Sequence, residues 1–158
     1  MKLKDKVAIV TGAGLGIGEA TSRLFANEGA KVICVDINAE NAEKTATKIN
    51  LNGRIATSYK LDVTNEIEIN NFFSEITKKE NKIDILVNNA GIAIIKPLEE
   101  TSEEEWDKTI DVNLKSIFLG CKTFLPSMRE QKSGSIINIS SIAGLVGLAN
   151  CSAYNASK

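Results

Sequence analysis

The sequence predicts an α/β protein built on a doubly wound parallel sheet, and three observations lead there. Its apolar runs, such as Val7-Ala8-Ile9-Val10 and Val32-Ile33-Cys34-Val35, have no internal polar alternation, so both faces of those strands are expected to be covered, as in parallel sheets. Between the runs lie segments whose apolar residues step by three or four, the period of a helix. The first run passes straight into a glycine-rich turn and then into helical sequence, the order of a βαβ unit. Right-handed crossovers then wind helices onto both faces, with strands in the order 3-2-1-4-5.

The elements follow in turn. Val7–Thr11 reads as a buried strand, followed by a helix over about 17–27 that Gly29 stops. Lys31–Asp36 is the second strand, and Ala39–Ile49 a polar-faced helix ended near Asn52-Gly53. A third strand is expected near Ile55–Leu61, then a helix with Ile67, Ile69, Phe72, Phe73 and Ile76 as its apolar face. Ile83–Val87 and Ser135–Ile139 make the fourth and fifth strands. Between them runs one long helix over 103–130, started by a cap from Thr101/Ser102 with Glu104/Glu105. Its apolar row is Trp106, Ile110, Leu114, Ile117, Cys121, Phe124 and Met128. With no repeat or linker, residues 1–158 read as one domain.

Composition removes several functions. A net charge of −1 without a basic block argues against nucleic acid or an anionic membrane as partner. No apolar run reads as a signal peptide or a membrane span, and three scattered cysteines fit free thiols in a reducing compartment, so the expected location is cytoplasmic. The chain contains no histidine. That rules out Ser-His-Asp and Cys-His nucleophilic sites, and no metal site is expected. Acid–base work must fall to Tyr, Lys, Asp or Glu.

The first strand runs into Thr11-Gly12-Ala13-Gly14-Leu15-Gly16-Ile17-Gly18. Small residues there let a backbone approach a dinucleotide pyrophosphate, while helix N–H groups face the anion. The spacing is G-x-x-x-G-x-G through Gly12, Gly16 and Gly18, and it lacks the Gly-Lys-Ser/Thr ending of a P-loop. Asp36, at the end of the second strand, supplies a carboxylate for the adenosine ribose hydroxyls and repels a 2′-phosphate. No Arg or Lys lies in the loop or directly after Asp36, so NAD is expected rather than NADP. The reading is of a Rossmann-type dinucleotide-binding domain.

This loop, together with Asn88-Asn89-Ala90-Gly91, Asn113, Ser141 and Tyr154-Asn155-Ala156-Ser157-Lys158, resembles the short-chain dehydrogenase/reductase family. The resemblance implies that Asp62 and Val63 contact the adenine, and that Asn88, Asn89, Ala90 and Gly91 border the cofactor and steady the central sheet. It implies that Asn113 holds a water in a proton relay, and that Leu15 and Ile17 belong to the cofactor loop. Ser141 is preferred to its neighbour Ser140 because it stands thirteen residues before Tyr154, the family's usual interval.

The chemistry is intelligible from the residues too. Tyr154 and Lys158 are four apart and share a helix face. A phenol ordinarily titrates near pH 10, and a neighbouring ammonium favours the phenolate. Tyr154 then exchanges a proton with an alcohol or carbonyl substrate, Ser141 hydrogen-bonds the substrate oxygen, and Lys158 also binds the nicotinamide ribose. A non-catalytic dinucleotide-binding protein or inactive fragment is the alternative, and a methyltransferase would leave the Tyr–Lys pair without a role. Family members continue beyond the position of Lys158, so the domain is expected to be C-terminally incomplete. Phe118 and Leu125, beside the main apolar row of the long helix, point to a homo-oligomer.

Overall fold

The computed structural model describes residues 1–158. Five strands, β1 (Val7–Thr11), β2 (Lys31–Asp36), β3 (Ala56–Lys60), β4 (Ile85–Asn88) and β5 (Ser135–Asn138), form one parallel sheet in the order β3-β2-β1-β4-β5. Its helices are α1 (Gly16–Asn27), α2 (Ala39–Leu51), α3 (Glu66–Glu80), α4 (Glu103–Ile110), α5 (Ser116–Glu130) and α6 (Ser152–Ser157). The expected Rossmann-type, doubly wound sheet is therefore present. No helix is long and apolar enough to cross a membrane.

Alternate residues of the central strands feed two different cores. Ala8, Val10, Val32 and Cys34 meet small residues of the α1 and α2 layer, including Ala26 and Ala46. Val7, Ile9, Ile33 and Val35 meet Ile69, Phe72 and Ile76 of α3 and Leu119, Phe124 and Met128 of α5. Small side chains let α1 and α2 lie close to the sheet, whereas the opposite face is filled by bulk, with Phe73 edge-on to Phe124 at 5.0 Å. In α1 the buried stripe is Gly18, Ser22 and Ala26, while Leu24 is exposed.

Three sequence expectations need correction. Helix 103–130 is not continuous: one π-helical turn over Asp111–Lys115 separates α4 from α5. There the Ser116 N–H donates to Asp111 O, five residues back, and the Ser116 hydroxyl donates to Val112 O at 2.5 Å. An inserted residue rotates the following face by about 100°, so a single apolar row across both helices cannot stay buried. The buried face instead runs through Thr109, Asn113, Ser116, Gly120, Phe124 and Met128, and Trp106 and Leu114 are exposed. The capping box that starts α4 is Ser102 with Glu105. Ile67 also faces solvent, because it occupies the first turn of α3, just past the Asn65 cap. Finally, β4 starts at Ile85 rather than Ile83, since the Gln131 side chain takes both the N–H and the C=O of Ile83.

Candidate active site

Apart from Asn113, each expected site residue lies at or just past the carboxyl end of a strand, or on or next to α6. The glycine loop follows β1, Asp36 ends β2, Asp62 and Val63 follow β3, Asn89–Gly91 follow β4 and Ser141 follows β5. In a sheet of this kind ligands bind at that edge, where β1 has β2 on one side and β4 on the other.

Thr11 sets the loop. Its hydroxyl donates to Val87 O and accepts from the N–H groups of Asn89 and Ala90, lashing the end of β1 to the end of β4. The Asn89 carboxamide completes the clasp by donating to Thr11 O and Gly12 O. At Gly18 a Cβ would collide with Gly12 O, and at Gly14 it would stand 2.8 Å from Asp36 Oδ2. Gly16 differs: its φ is +59° and nothing lies within 4 Å of where a Cβ would be. Helix α1 starts there without a side-chain cap, since its N-cap residue is Leu15. Open N–H groups on a twelve-residue helix, beside a glycine facing empty space, fit a pyrophosphate. Leu15 and Ile17 flank them with exposed side chains.

The Asp36 carboxylate accepts from Gly14 N–H at 2.9 Å and Asn38 N–H at 2.9 Å. It therefore shapes the loop as well as facing the edge. Asp62 is similarly fixed, its Oδ1 accepting both the N–H and the hydroxyl of Thr64. Asn88 turns to the other side, donating to Asn138 Oδ1 across β4 and β5.

Asn113 lies at the centre of the π turn and is fully buried. Its Oδ1 accepts from Ile92 N–H at 2.8 Å, and its Nδ2 donates to Ile92 O and to Ser157 Oγ, both at 2.9 Å. Ser157 in turn donates to Tyr154 O. The side chain thus ties α6 to the loop after β4, with both N–H groups spent. Lys158 Nζ donates to Ile139 O at 3.1 Å and lies 5.8 Å from the centroid of the Tyr154 ring. A Cβ on Gly91 would stand 3.4 Å from the same ammonium, so the Asn-Asn-Ala-Gly turn leaves room for it.

The two candidate serines are distinguished by their partners. Ser140 donates its proton to Lys158 O at 2.9 Å, whereas Ser141 accepts from Ala143 N–H as it caps the 3₁₀ turn Ile142–Gly144. Only Ser141 keeps a hydroxyl proton to give.

Residues 6–158 match the family model for short chain dehydrogenases. The chain belongs to that family. Among curated short-chain dehydrogenase relatives, it is 41% identical to cyclopentanol dehydrogenase of a Comamonas species, over 99% of this chain and 63% of that protein. It is 42% identical to a 3-oxoacyl-[acyl-carrier-protein] reductase of Thermotoga maritima, over 100% of this chain and 64% of that protein. The chain thus spans less than two thirds of the length of these relatives. Among solved structures, NAD+-bound xylitol dehydrogenase superposes with a TM-score of 0.96 at 34% identity, over 100% of this chain and 61% of that one. A metagenomic short-chain oxidoreductase in complex with NADP gives 0.96 at 38% identity, over 100% of this chain and 72% of that one. Of these two neighbours, one holds NADP and the other NAD+.

Sequence reasoning passed over three residues that shape the candidate site. Thr11 had a signal, its place at the strand end before Gly12. Ser157 lies inside the Tyr-x-x-x-Lys segment, but only the tertiary contact with Asn113 shows its use. Asn155 clasps Leu148 from both sides, donating to its C=O and accepting from its N–H.

Proposed function

We propose that the protein transfers a hydride between NAD(H) and a secondary alcohol or its carbonyl, with Tyr154 as general acid/base. The observation that carries this reading is the meeting, at one sheet edge, of an open uncapped helix start, a serine with an unspent hydroxyl proton, and a tyrosine ring 5.8 Å from a lysine ammonium.

A bound nicotinamide dinucleotide supplies the hydride acceptor for oxidation and the donor for reduction. Gly12, Gly14, Gly16 and Gly18, with Leu15 and Ile17, would hold its pyrophosphate at the start of α1. Asp62 and Val63 would border the adenine, and Asn89, Ala90 and Gly91 would line the way to the nicotinamide. In oxidation the carbinol C–H bond breaks with its electron pair leaving as hydride, and the hydroxyl proton passes to Tyr154 Oη. The carbonyl C=O forms as both leave. Ser141 donates to the substrate oxygen while negative charge builds there. Tyr154 takes that proton as a phenolate, whose charge the nearby Lys158 ammonium offsets, and in reduction it returns the proton to the carbonyl oxygen. Asn113 acts through its grip on Ile92 and Ser157, keeping α6 and Gly91 in register. Relatives named for cyclopentanol and D-threitol support an alcohol or ketone substrate.

Asp36 favours NAD over NADP. Each oxygen already accepts one backbone N–H, which leaves lone pairs for two ribose hydroxyls, and its charge opposes a phosphate at the 2′ position. The three free cysteines fit a reducing cytoplasm. One titration tests the centre of this proposal. NADH is expected to bind at least about tenfold more tightly than NADPH, and Tyr154→Phe to keep that binding while alcohol oxidation falls about 10²–10⁴-fold. Binding of neither dinucleotide, or full turnover without the Tyr154 hydroxyl, would overturn it.

Assembly is part of the same reading. Phe118 is 60% exposed and lies beside the exposed Leu114 and Leu125, an apolar face that a second copy would cover. Sedimentation at micromolar concentration is expected to return a homo-oligomer; a strict monomer would remove this part.

A further inference from the structure

We propose that the cavity between α5 and the carboxyl ends of β1 and β4 is a binding site for one ordered water molecule. This water gives one proton to Asn88 Oδ1 and the other to Ser116 Oγ. The site is independent of the reaction assigned above.

Size limits the ligand first. The cavity measures about 20 Å3, counted as room for the centres of water molecules. One water needs about 10–15 Å3 on that measure, so the cavity admits one and no larger ligand. Side chains of the apolar core make most of its wall, and three polar residues break it: Thr11, Asn88 and Ser116. All three are buried.

Hydrogen-bonding capacity then names the ligand. The Thr11 hydroxyl is spent, since it donates to Val87 O and accepts from two N–H groups. Asn88 is only half spent: its Nδ2 donates to Asn138 Oδ1 at 2.9 Å, while its Oδ1 accepts from no group of the protein. That oxygen faces Gly120, where a Cβ would stand 2.8 Å from it. Asn88 is 7% exposed, so an acceptor left alone there is costly. Ser116 has given its proton to Val112 O and keeps its lone pairs. The three polar residues therefore offer the cavity two acceptors and no spare donor.

The ligand must be neutral, one heavy atom in size, and have two protons to give. Water has these properties. An ion would bring an uncompensated charge into the core, and an apolar guest would leave Asn88 Oδ1 unpaired. Gly120 supplies the independent sign that this space is kept. Glycine is unfavourable inside a helix, and its place in the middle of α5 is accounted for by the room it leaves in front of Asn88.

A crystal structure of the protein at high resolution tests the site directly. One solvent peak is expected in the cavity, at about 2.5–3.0 Å from both Asn88 Oδ1 and Ser116 Oγ. Under xenon pressure the cavity is expected to take up no xenon, which enters dry apolar cavities. A cavity without solvent density, or one that fills with xenon, overturns the proposal. In solution, magnetic relaxation dispersion counts long-lived internal waters, and Gly120→Ala is expected to lower the count by one. An unchanged count would overturn it. Should Gly120→Ala fail to fold, Ser116→Ala removes one acceptor without filling the cavity. It is expected to shorten the residence of the same water about tenfold, and an unaltered residence time would overturn the part given to Ser116.

Discussion

The two halves of the site are held by opposite means. Around β1 and β2 the backbone segments touch one another, and the structure depends on side chains that are missing. Gly18 lies against Gly12 O, Gly14 against Asp36, and every residue of β1 is buried. Around β4 and β5 the loops are gripped by carboxamides and hydroxyls that are present: Asn113 on Ile92, Asn155 on Leu148, Ser140 on Lys158. There β5 is an outer strand, exposed along most of its length. The difference predicts how each half fails. The first half breaks when an atom is added, and the second loosens when a hydrogen bond is removed.

The largest effect is expected at Gly18. Helix propensity alone makes Gly→Ala favourable by about 1 kcal/mol in a helix interior. Against that, the new methyl group would collide with the backbone carbonyl of Gly12 and stand 2.7 Å from Asn89 Nδ2, which is itself held by hydrogen bonds to Thr11 O and Gly12 O. Gly18→Ala is therefore expected to destabilise the protein by about 3 kcal/mol, measured by denaturant unfolding, and to abolish NADH binding. Gly16→Ala meets no neighbour and carries only the left-handed backbone penalty of about 1–2 kcal/mol. A stabilised Gly18→Ala protein would show that the contact relaxes and that the contrast between the halves is false.

Asn113 gives the matching deletion. Its carboxamide makes three hydrogen bonds in a site with no exposure. Asn113→Ala leaves the Ile92 N–H and C=O without partners, each at about 1–3 kcal/mol. A loss of about 2–4 kcal/mol in total is expected in the same unfolding measurement, with alcohol turnover falling while NADH affinity holds. Loss of NADH binding in step with turnover would mean the two halves are not separately held.

The contrast also marks what was legible in the sequence. Buried central strands, the glycine spacing and Asp36 could be read directly, because a strand covered on both faces is apolar throughout and a close backbone approach demands glycine. The order of the sheet followed from the crossover rules. The long helix was misread because its pattern was continued through a π turn, whose central residue, Asn113, makes tertiary hydrogen bonds to Ile92 that no helical pattern shows. Trp106 and Leu114 look like core residues on any helical projection, and are exposed because the phase shifts at Asp111–Lys115. Motif residues could be named without their partners. Tyr154 and Lys158 are visible as a pair four apart, but the Lys158 contact with Ile139 O and the withdrawal of the Ser140 proton arise only when the loop after β5 folds over α6.

The smallest effect is expected at Asn155, and it tests the contrast most finely. Its two bonds to Leu148 are exposed, at 2.9 Å from Nδ2 to O and 3.3 Å from N–H to Oδ1. Water replaces exposed bonds well, so Asn155→Ala is expected to cost no more than about 1 kcal/mol of stability. The loop it holds lies between Ser141 and Tyr154, so the change is expected in the KM for the alcohol, raised severalfold, with the KM for NAD+ unaltered. Asn155→Asp separates position from charge: it retains an acceptor for the Leu148 N–H, loses the donor to its C=O, and brings a carboxylate to an otherwise uncharged segment. It should therefore restore little of the lost affinity for the alcohol. If Asn155→Ala lowered kcat and left the alcohol KM unchanged, Asn155 would be acting on the neighbouring Tyr154 and not as a positioning residue for the loop after β5.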